Sequence, residues 1–420
     1  MKKLYDHKTR AVPMLWVLMA CCFIGFSGMT GFASAVDFTL ADKCPPSFAL
    51  DSDNKCRLRN LYQLYDSLQD RGLGGLKTSL PEHRDGFSPQ QIDLGRLLFF
   101  DPVLSAAKNL SCANCHNPAL GFSDGMARSV GAGGQVSQRS APTLWNSAFL
   151  KVFFWDARAH SLEEQAMGPL LSAQEMANTP QQILASLNEV DAYPELFNDA
   201  FPDSSQSSES ESQSESEDKN ALVMDNIVTA LTAFQSSLIS LNSPYDRYAH
   251  GDAKALSTNQ LEGLNVFRSF VARCSQCHTP PLFTNQQVAV IGTPEPQGLP
   301  RDIGAEKTFA AAKMKGGFKV PTLRNVARTA PYMHSGRFAT LREAAEFYTK
   351  GRGHAVPEGE ELLLHWHISD PNLTDTELDR LVDFMGALTD ESFMPKIPNQ
   401  VPSGLLNYKP SIGLTTTSGE

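Results

Sequence analysis

Basic charge is in short supply: 36 Lys and Arg stand against 46 Asp and Glu in 420 residues, for a formal charge of -10. That balance argues against nucleic acid and an anionic membrane surface as partners, since both are held by basic patches. Period-two alternation of apolar and polar residues is nearly absent, which argues against a sheet-built fold and for a mainly α-helical one with long loops. Long apolar runs are also missing after residue 32, so no stable membrane domain is expected downstream of the start of the chain. A hydrophobic content of 41% excludes a fibrous or wholly disordered chain, and the length suggests two domains.

The first residues, with Lys2, Lys3, Lys8 and Arg10, precede an apolar stretch from Val12 to Phe32 and the small-residue pattern Ala33-Ser34-Ala35. The order fits a secretory signal over residues 1–35 and a periplasmic destination. An uncleaved anchor, or lipidation at Cys21, are the competing readings.

Cysteine is scarce, and its positions are informative. Of eight, Cys21 and Cys22 fall in the signal, and Cys44 and Cys56 form a leftover pair suited to a disulfide in an oxidising compartment. The other four lie in Cys112-Ala113-Asn114-Cys115-His116 and Cys274-Ser275-Gln276-Cys277-His278. Each motif supplies two thiols for thioether bonds to a haem and an imidazole for its iron, so two covalently bound haem c groups are expected. A redox dithiol or a shared zinc site would also use paired cysteines, but an immediate His after both pairs and their wide separation favour haem.

Around these motifs the chain divides into an extension (36–85), a first haem domain (86–256), a second (257–395) and a tail (396–420). The extension offers a helical spacing at Leu58, Leu61, Tyr62, Tyr65 and Leu68, and Ser88-Pro89-Gln90-Gln91 reads as a helix start. Helices are expected from Ala221 to about Ile239 and from Thr258 to Phe270, the latter leading into its haem motif as an earlier helix leads into the first. Residues 203–220 are almost all Ser, Gln, Glu and Asp, a composition expected to stay disordered. The two halves read as one cytochrome c-like unit used twice.

With its surroundings, the text resembles the bacterial di-haem cytochrome c peroxidase and MauG superfamily from about Ser88 to Leu388. The resemblance lies in Leu94-Gly95-Arg96-Leu97-Leu98-Phe99-Phe100-Asp101, Phe154-Trp155-Asp156-Ala157-Arg158 and Lys319-Val320-Pro321-Thr322-Leu323-Arg324-Asn325, besides the haem motifs. It implies that the His116 haem meets hydrogen peroxide, with Gln165, Pro169 and Glu175 on its open face and Glu175 moving the proton that peroxide cleavage requires. It further implies that Trp155 lies between the haems. A calcium ion would take Thr329 and Pro331, with Ser140 where the family usually has Asn. Without the resemblance, Glu175 would read as a surface cap and Trp155 as core packing.

The branch turns on the second iron. Fourteen residues after His334 of Pro331-Tyr332-Met333-His334, where electron-accepting relatives place Met, stands Tyr348, as in MauG-like members. The competing reading is a packed tyrosine with Met333 as ligand. A phenolate is a harder, anionic donor than a thioether and lowers the iron's potential. The loop in which many relatives carry a blocking His is Gly131-Ala132-Gly133-Gly134, and no His lies between His116 and His160. The resemblance therefore implies a peroxide-ready enzyme that forms a high-valent di-haem state and oxidises aromatic residues of a secreted partner. Its alternatives are a peroxidase fed by a small cytochrome or cupredoxin, and a non-enzymatic electron-transfer cytochrome. The surface tryptophan through which MauG oxidises its partner is Ala272 here; Trp145, Trp366 and Tyr332 are the substitutes the sequence offers.

Overall fold

The computed structural model describes residues 38–59, 80–202, 221–350, 353–356, 358–406 and 408. The expected signal segment, the acidic stretch 203–220 and the expected helix at Leu61, Tyr62, Tyr65 and Leu68 lie outside them. Leu58 does not begin a helix: it ends strand β2 (Cys56–Leu58), which pairs antiparallel with β1 (Phe48–Leu50). A disulfide joins Cys44 to Cys56 and, with Phe48, packs this hairpin against Phe87, Ile92 and Phe149. Asp51 collects the amides of Asp53 and Lys55, closing the turn that brings Cys56–Leu58 back against Phe48–Leu50.

The rest is mainly α-helical. In chain order come α1 (Pro89–Phe100), α2 (Cys112–Cys115), α3 (Leu162–Leu171), α4 (Pro180–Asn188), α5 (Ala192–Ala200) and α6 (Met224–Ser236) in the first half. The second half holds α7 (Pro244–Ala249), α8 (Thr258–Phe267), α9 (Cys274–Cys277), α10 (Glu306–Phe309), α11 (Leu341–Thr349) and α12 (Asp375–Gly386). One further two-stranded ribbon pairs β3 (Val288–Val290) with β4 (Gly317–Lys319).

Two helix pairs carry the two cores, and they are built alike. Ser88 caps α1 in a reciprocal box with Gln91, and Pro89 takes the first helical position, where its missing N–H costs nothing. Ser257 caps α8 in the same way with Gln260. In α1, Gly95 presses on α6: a β-carbon there would lie 1.8 Å from the Ala230 carbonyl oxygen and 3.0 Å from Phe234 Cβ. In α8, Gly263 presses on α12, where a β-carbon would lie 1.9 Å from the Arg380 oxygen and 2.7 Å from Phe384 Cβ. The ring pairs that follow match as well, with Phe99–Phe234 at 5.0 Å and Phe267–Phe384 at 5.1 Å. A side chain at either glycine would force the helices apart and open the core beside a haem motif.

The tail does not hang free where it is described. Val401 and Tyr408 are buried in the first core, and Ser403 binds the buried Asp101 carboxylate through both its amide (3.1 Å) and its hydroxyl (2.6 Å).

Candidate active site

Each haem motif sits in a short helix, α2 or α9, whose end turns the histidine inward. His116 Nδ1 lies 3.0 Å from the Phe122 carbonyl, and His278 Nδ1 lies 3.1 Å from the carbonyls of Phe283 and Pro321. A carbonyl can only accept, so Nδ1 carries the proton and Nε2 is left with its lone pair for a metal. Phe122 (φ 62°) and Phe283 (φ 54°) hold a left-handed backbone that aromatic residues seldom adopt, and each aims its carbonyl at a histidine. Burial pulls both imidazoles below their ordinary pKa, with the carbonyls opposing it, so the neutral, ligand-competent form is favoured.

Behind the motifs lie two cavities. The first, of about 640 Å³, is lined by Cys112, Cys115 and His116 together with Trp155, Gln165, Pro169 and Glu175. The second, of about 270 Å³, is lined by Cys274, Cys277 and His278 together with Tyr348 and, again, Trp155. Trp155 thus forms part of the wall the cavities share, its indole N–H donating to the Ser140 carbonyl at 2.9 Å. Two thiols and one free imidazole nitrogen per cavity suit a covalently held haem in each.

The competing readings of the cysteines fit less well. Burial pushes the Cys112, Cys115 and Cys274 thiols up to about 12, the opposite of an activated redox dithiol. Nor do the pairs meet for a shared zinc ion: among the described residues, the one grouping of three metal-competent side chains is Cys277 with His365 and His367.

On the first cavity's rim, Gln165 and Pro169 are one turn apart on the same face of α3, which Ser161 caps by accepting from the Glu164 amide. Glu175 follows the helix and is fixed from outside, because its backbone carbonyl accepts from Ala132 N–H at 2.7 Å. Gly131 makes this approach possible: a β-carbon there would lie 2.0 Å from the Gln174 oxygen. The histidine-free loop therefore buttresses Glu175. Burial raises the Glu175 carboxyl above the ordinary carboxylate range, while the Arg158 charge pulls the other way. Arg158 also lines the cavity and covers the Phe154 ring at 3.5 Å; its role escaped the sequence reading although it stands in the Phe-Trp-Asp-Ala-Arg text.

The second cavity repeats the first in register. Pro142-Thr143-Leu144-Trp145-Asn146 corresponds to Pro321-Thr322-Leu323-Arg324-Asn325, with Thr143 Oγ1 donating to Gly121 O (2.7 Å) and Thr322 Oγ1 to Leu282 O (2.6 Å). At the same offset the bridge Phe153–Ala159 matches Tyr332–Phe338, and the caps Ser161 of α3 and Thr340 of α11 match. Carried on, the register pairs Trp155 with His334, and Pro169 with Tyr348. The Trp155 and His334 rings meet 6.4 Å apart. Met333 and Met385 also line the second cavity, and burial raises the Tyr348 phenol well above its ordinary pKa.

The chain matches the di-haem cytochrome c peroxidase family over residues 89–254. It is 34% identical over 315 residues to the methylamine utilization protein MauG of Methylorubrum extorquens, covering 75% of this chain and 82% of that one. The chain belongs to the di-haem cytochrome c peroxidase and MauG family. It is also 37% identical over 263 residues to the cytochrome c551 peroxidase of Pseudomonas aeruginosa, covering 61% of this chain and 71% of that one. Among solved structures, a MauG-like protein associated with microbial copper homeostasis superposes with a TM-score of 0.65 at 29% identity, covering 75% of this chain and 94% of that one. As a member of the family the chain is a peroxidase-type oxidoreductase with two haem c groups.

The remaining expected site residues divide. Ser140, Thr329 and Pro331 do stand together on the second cavity's wall. The Ser140 hydroxyl, however, donates to the Met333 carbonyl at 3.1 Å and its own carbonyl takes the Trp155 N–H. These are the oxygens that the resemblance would offer a calcium ion, and Thr329 and Pro331 would hold it through their backbone carbonyls. Of the aromatic exits, Trp145 is core, packed edge-on to Phe122 at 5.0 Å, and Tyr332 turns its hydroxyl to the Val326 carbonyl. Trp366 is 68% exposed, beside His367, whose Nδ1 lies 4.0 Å from the Cys277 sulfur.

Proposed function

We propose that this chain is a periplasmic, MauG-like enzyme that reacts with hydrogen peroxide at the first cavity without prior reduction and oxidises aromatic residues of a secreted partner protein. Cys112, Cys115 and His116 would hold one haem; Cys274, Cys277, His278 and Tyr348 would hold the other. When bound, the haems supply the iron coordination position for peroxide and the capacity to store its two oxidising equivalents.

The protein's part follows from the side chains. Glu175, with its pKa raised by burial, takes a proton from one peroxide oxygen and returns it to the other. Gln165 orients the peroxide through its amide, and the Pro169 ring, one turn on, lines the same face without a polar group. Trp155 links the two cavities. The observation that carries the reading is the register itself: the helix position that is Pro169 at the first cavity is Tyr348 at the second, so Tyr348 would offer the second haem an oxygen ligand where Pro169 offers the first none.

The test is stopped-flow mixing of the fully oxidised holoprotein with one equivalent of peroxide, followed by a panel of reduced cytochromes and cupredoxins. A two-equivalent oxidised spectrum that forms without reductant, and persists with every donor, is expected. A requirement for prior reduction, or rapid turnover with a donor, would favour the second reading: a peroxidase drawing electrons from a small redox protein. Met333 and Met385 in the second cavity give that reading its footing, since either could replace Tyr348 on the iron. Tyr348→Phe should alter the second haem's resting spectrum; an unchanged spectrum excludes Tyr348 as ligand.

A further inference from the structure

The wall between the cavities is crowded with acids and bases, and nearly all of them are paired. Arg139 holds Asp302 through two bonds of 2.6 and 2.9 Å and Asp156 at 2.8 Å; Asp156 also meets Arg158. Glu295 pairs with His334 at 2.9 Å. Lys319 is not paired. It ends β4, its backbone is fixed by donation to the Trp155 carbonyl at 2.7 Å, and it lines both cavities. Among the described residues no carboxylate is bonded to its ammonium, and burial pulls its pKa down to about 8. A cation beside two cavities with no carboxylate of the protein bonded to it suits an anion that arrives separately. Haem carries two propionate carboxylates, and the carboxylates of the wall are already engaged.

We propose that Lys319 binds a haem propionate at the wall shared by the two cavities, acting as a positioning residue that fixes the cofactor's rotation and holds up the potential of its iron. The inference rests on haem occupancy of the cavities and not on the peroxide reaction. Removing a positive charge beside the cofactor favours the ferric form.

The experiment is a redox titration of the holoprotein, without peroxide or partner, after both haems have been counted by pyridine haemochrome spectra. Lys319→Met should shift the ferric-to-ferrous ratio of one haem about tenfold toward ferric at a fixed potential, a fall of about 59 mV in its one-electron midpoint. Lys319→Arg should keep the wild-type value. Two bound haems with unmoved midpoints in Lys319→Met would overturn the assignment. Should that variant fail to mature, the propionate bending bands in resonance Raman spectra of wild-type and Lys319→Arg protein decide: bands that differ support the contact, and identical bands overturn it. Because peroxide is absent, failure here leaves the proposed reaction standing.

Discussion

The two halves of this molecule share a plan and differ at a handful of positions, and those differences bear on function. In both, a capped helix crosses its partner at a glycine, a phenylalanine in a left-handed conformation aims its carbonyl at the haem-motif histidine, and a Pro-Thr-Leu-x-Asn turn closes the cavity. Within that turn the first half has Trp145, packed on Phe122, whereas the second has Arg324, fully buried above Phe283 at 5.2 Å and bonded to Asp246 at 2.6 and 2.7 Å. One helix later, Pro169 stands where the other half has Tyr348. A repeated scaffold can thus hold two like cofactors while single side chains set how each would react.

The comparison can be broken most sharply at Glu175, which lines the first cavity alone. Glu175→Gln should slow the reaction with peroxide by about 10²–10⁴-fold while leaving the His278 haem spectrum intact; stopped-flow absorbance reads both. Next in size is the buried ion pair of the second half. Arg324→Met leaves Asp246 charged and unpaired in the interior, so a loss of about 3–5 kcal/mol is expected in denaturant unfolding. Trp145→Phe, the corresponding change in the first half, should cost less, since it strands no charge.

Gly95→Ala and Gly263→Ala sharpen the likeness between the halves. Each inserts a methyl group into a helix crossing with no room for it, and each should destabilise by about 1–3 kcal/mol. Similar losses would confirm equivalent packing; a large difference would show that one pair tolerates separation. The smallest effect expected is on pH dependence. Glu175 must be a carboxylate to accept the proton, so the rate should rise as pH passes upward through its pKa, and burial displaces that pKa above the ordinary carboxylate range. A limb that vanishes in Glu175→Gln identifies the group. A limb at the unperturbed value would mean that Glu175 is solvated in the holoprotein.

Much of this was legible in the chain itself. Haem attachment is a matter of covalent spacing, two thiols and an imidazole within five residues, and helix α1 announces itself through its Ser-Pro start and α6 through apolar periodicity because those signals are local. Leu58 stands in a strand and not at a helix start because a spacing of three and four is satisfied by short apolar runs of any conformation, whereas the hairpin depends on Asp51 binding the amides of the turn before it. The unpaired Lys319, the support that Ala132 gives Glu175, and the repetition of Gly95 in Gly263 are contacts between segments far apart in sequence. No local pattern encodes them.

The sequence by itself determined the cofactor chemistry and the helical class, because both rest on residue type and short-range spacing. Only the tertiary structure decided that Trp155 is shared by both cavities, that Trp145 is buried while Trp366 is exposed, and that Pro169 and Tyr348 occupy one position of a repeated scaffold. Burial and the pairing of charges are properties of segments brought together by packing, and they exist only once the chain has folded.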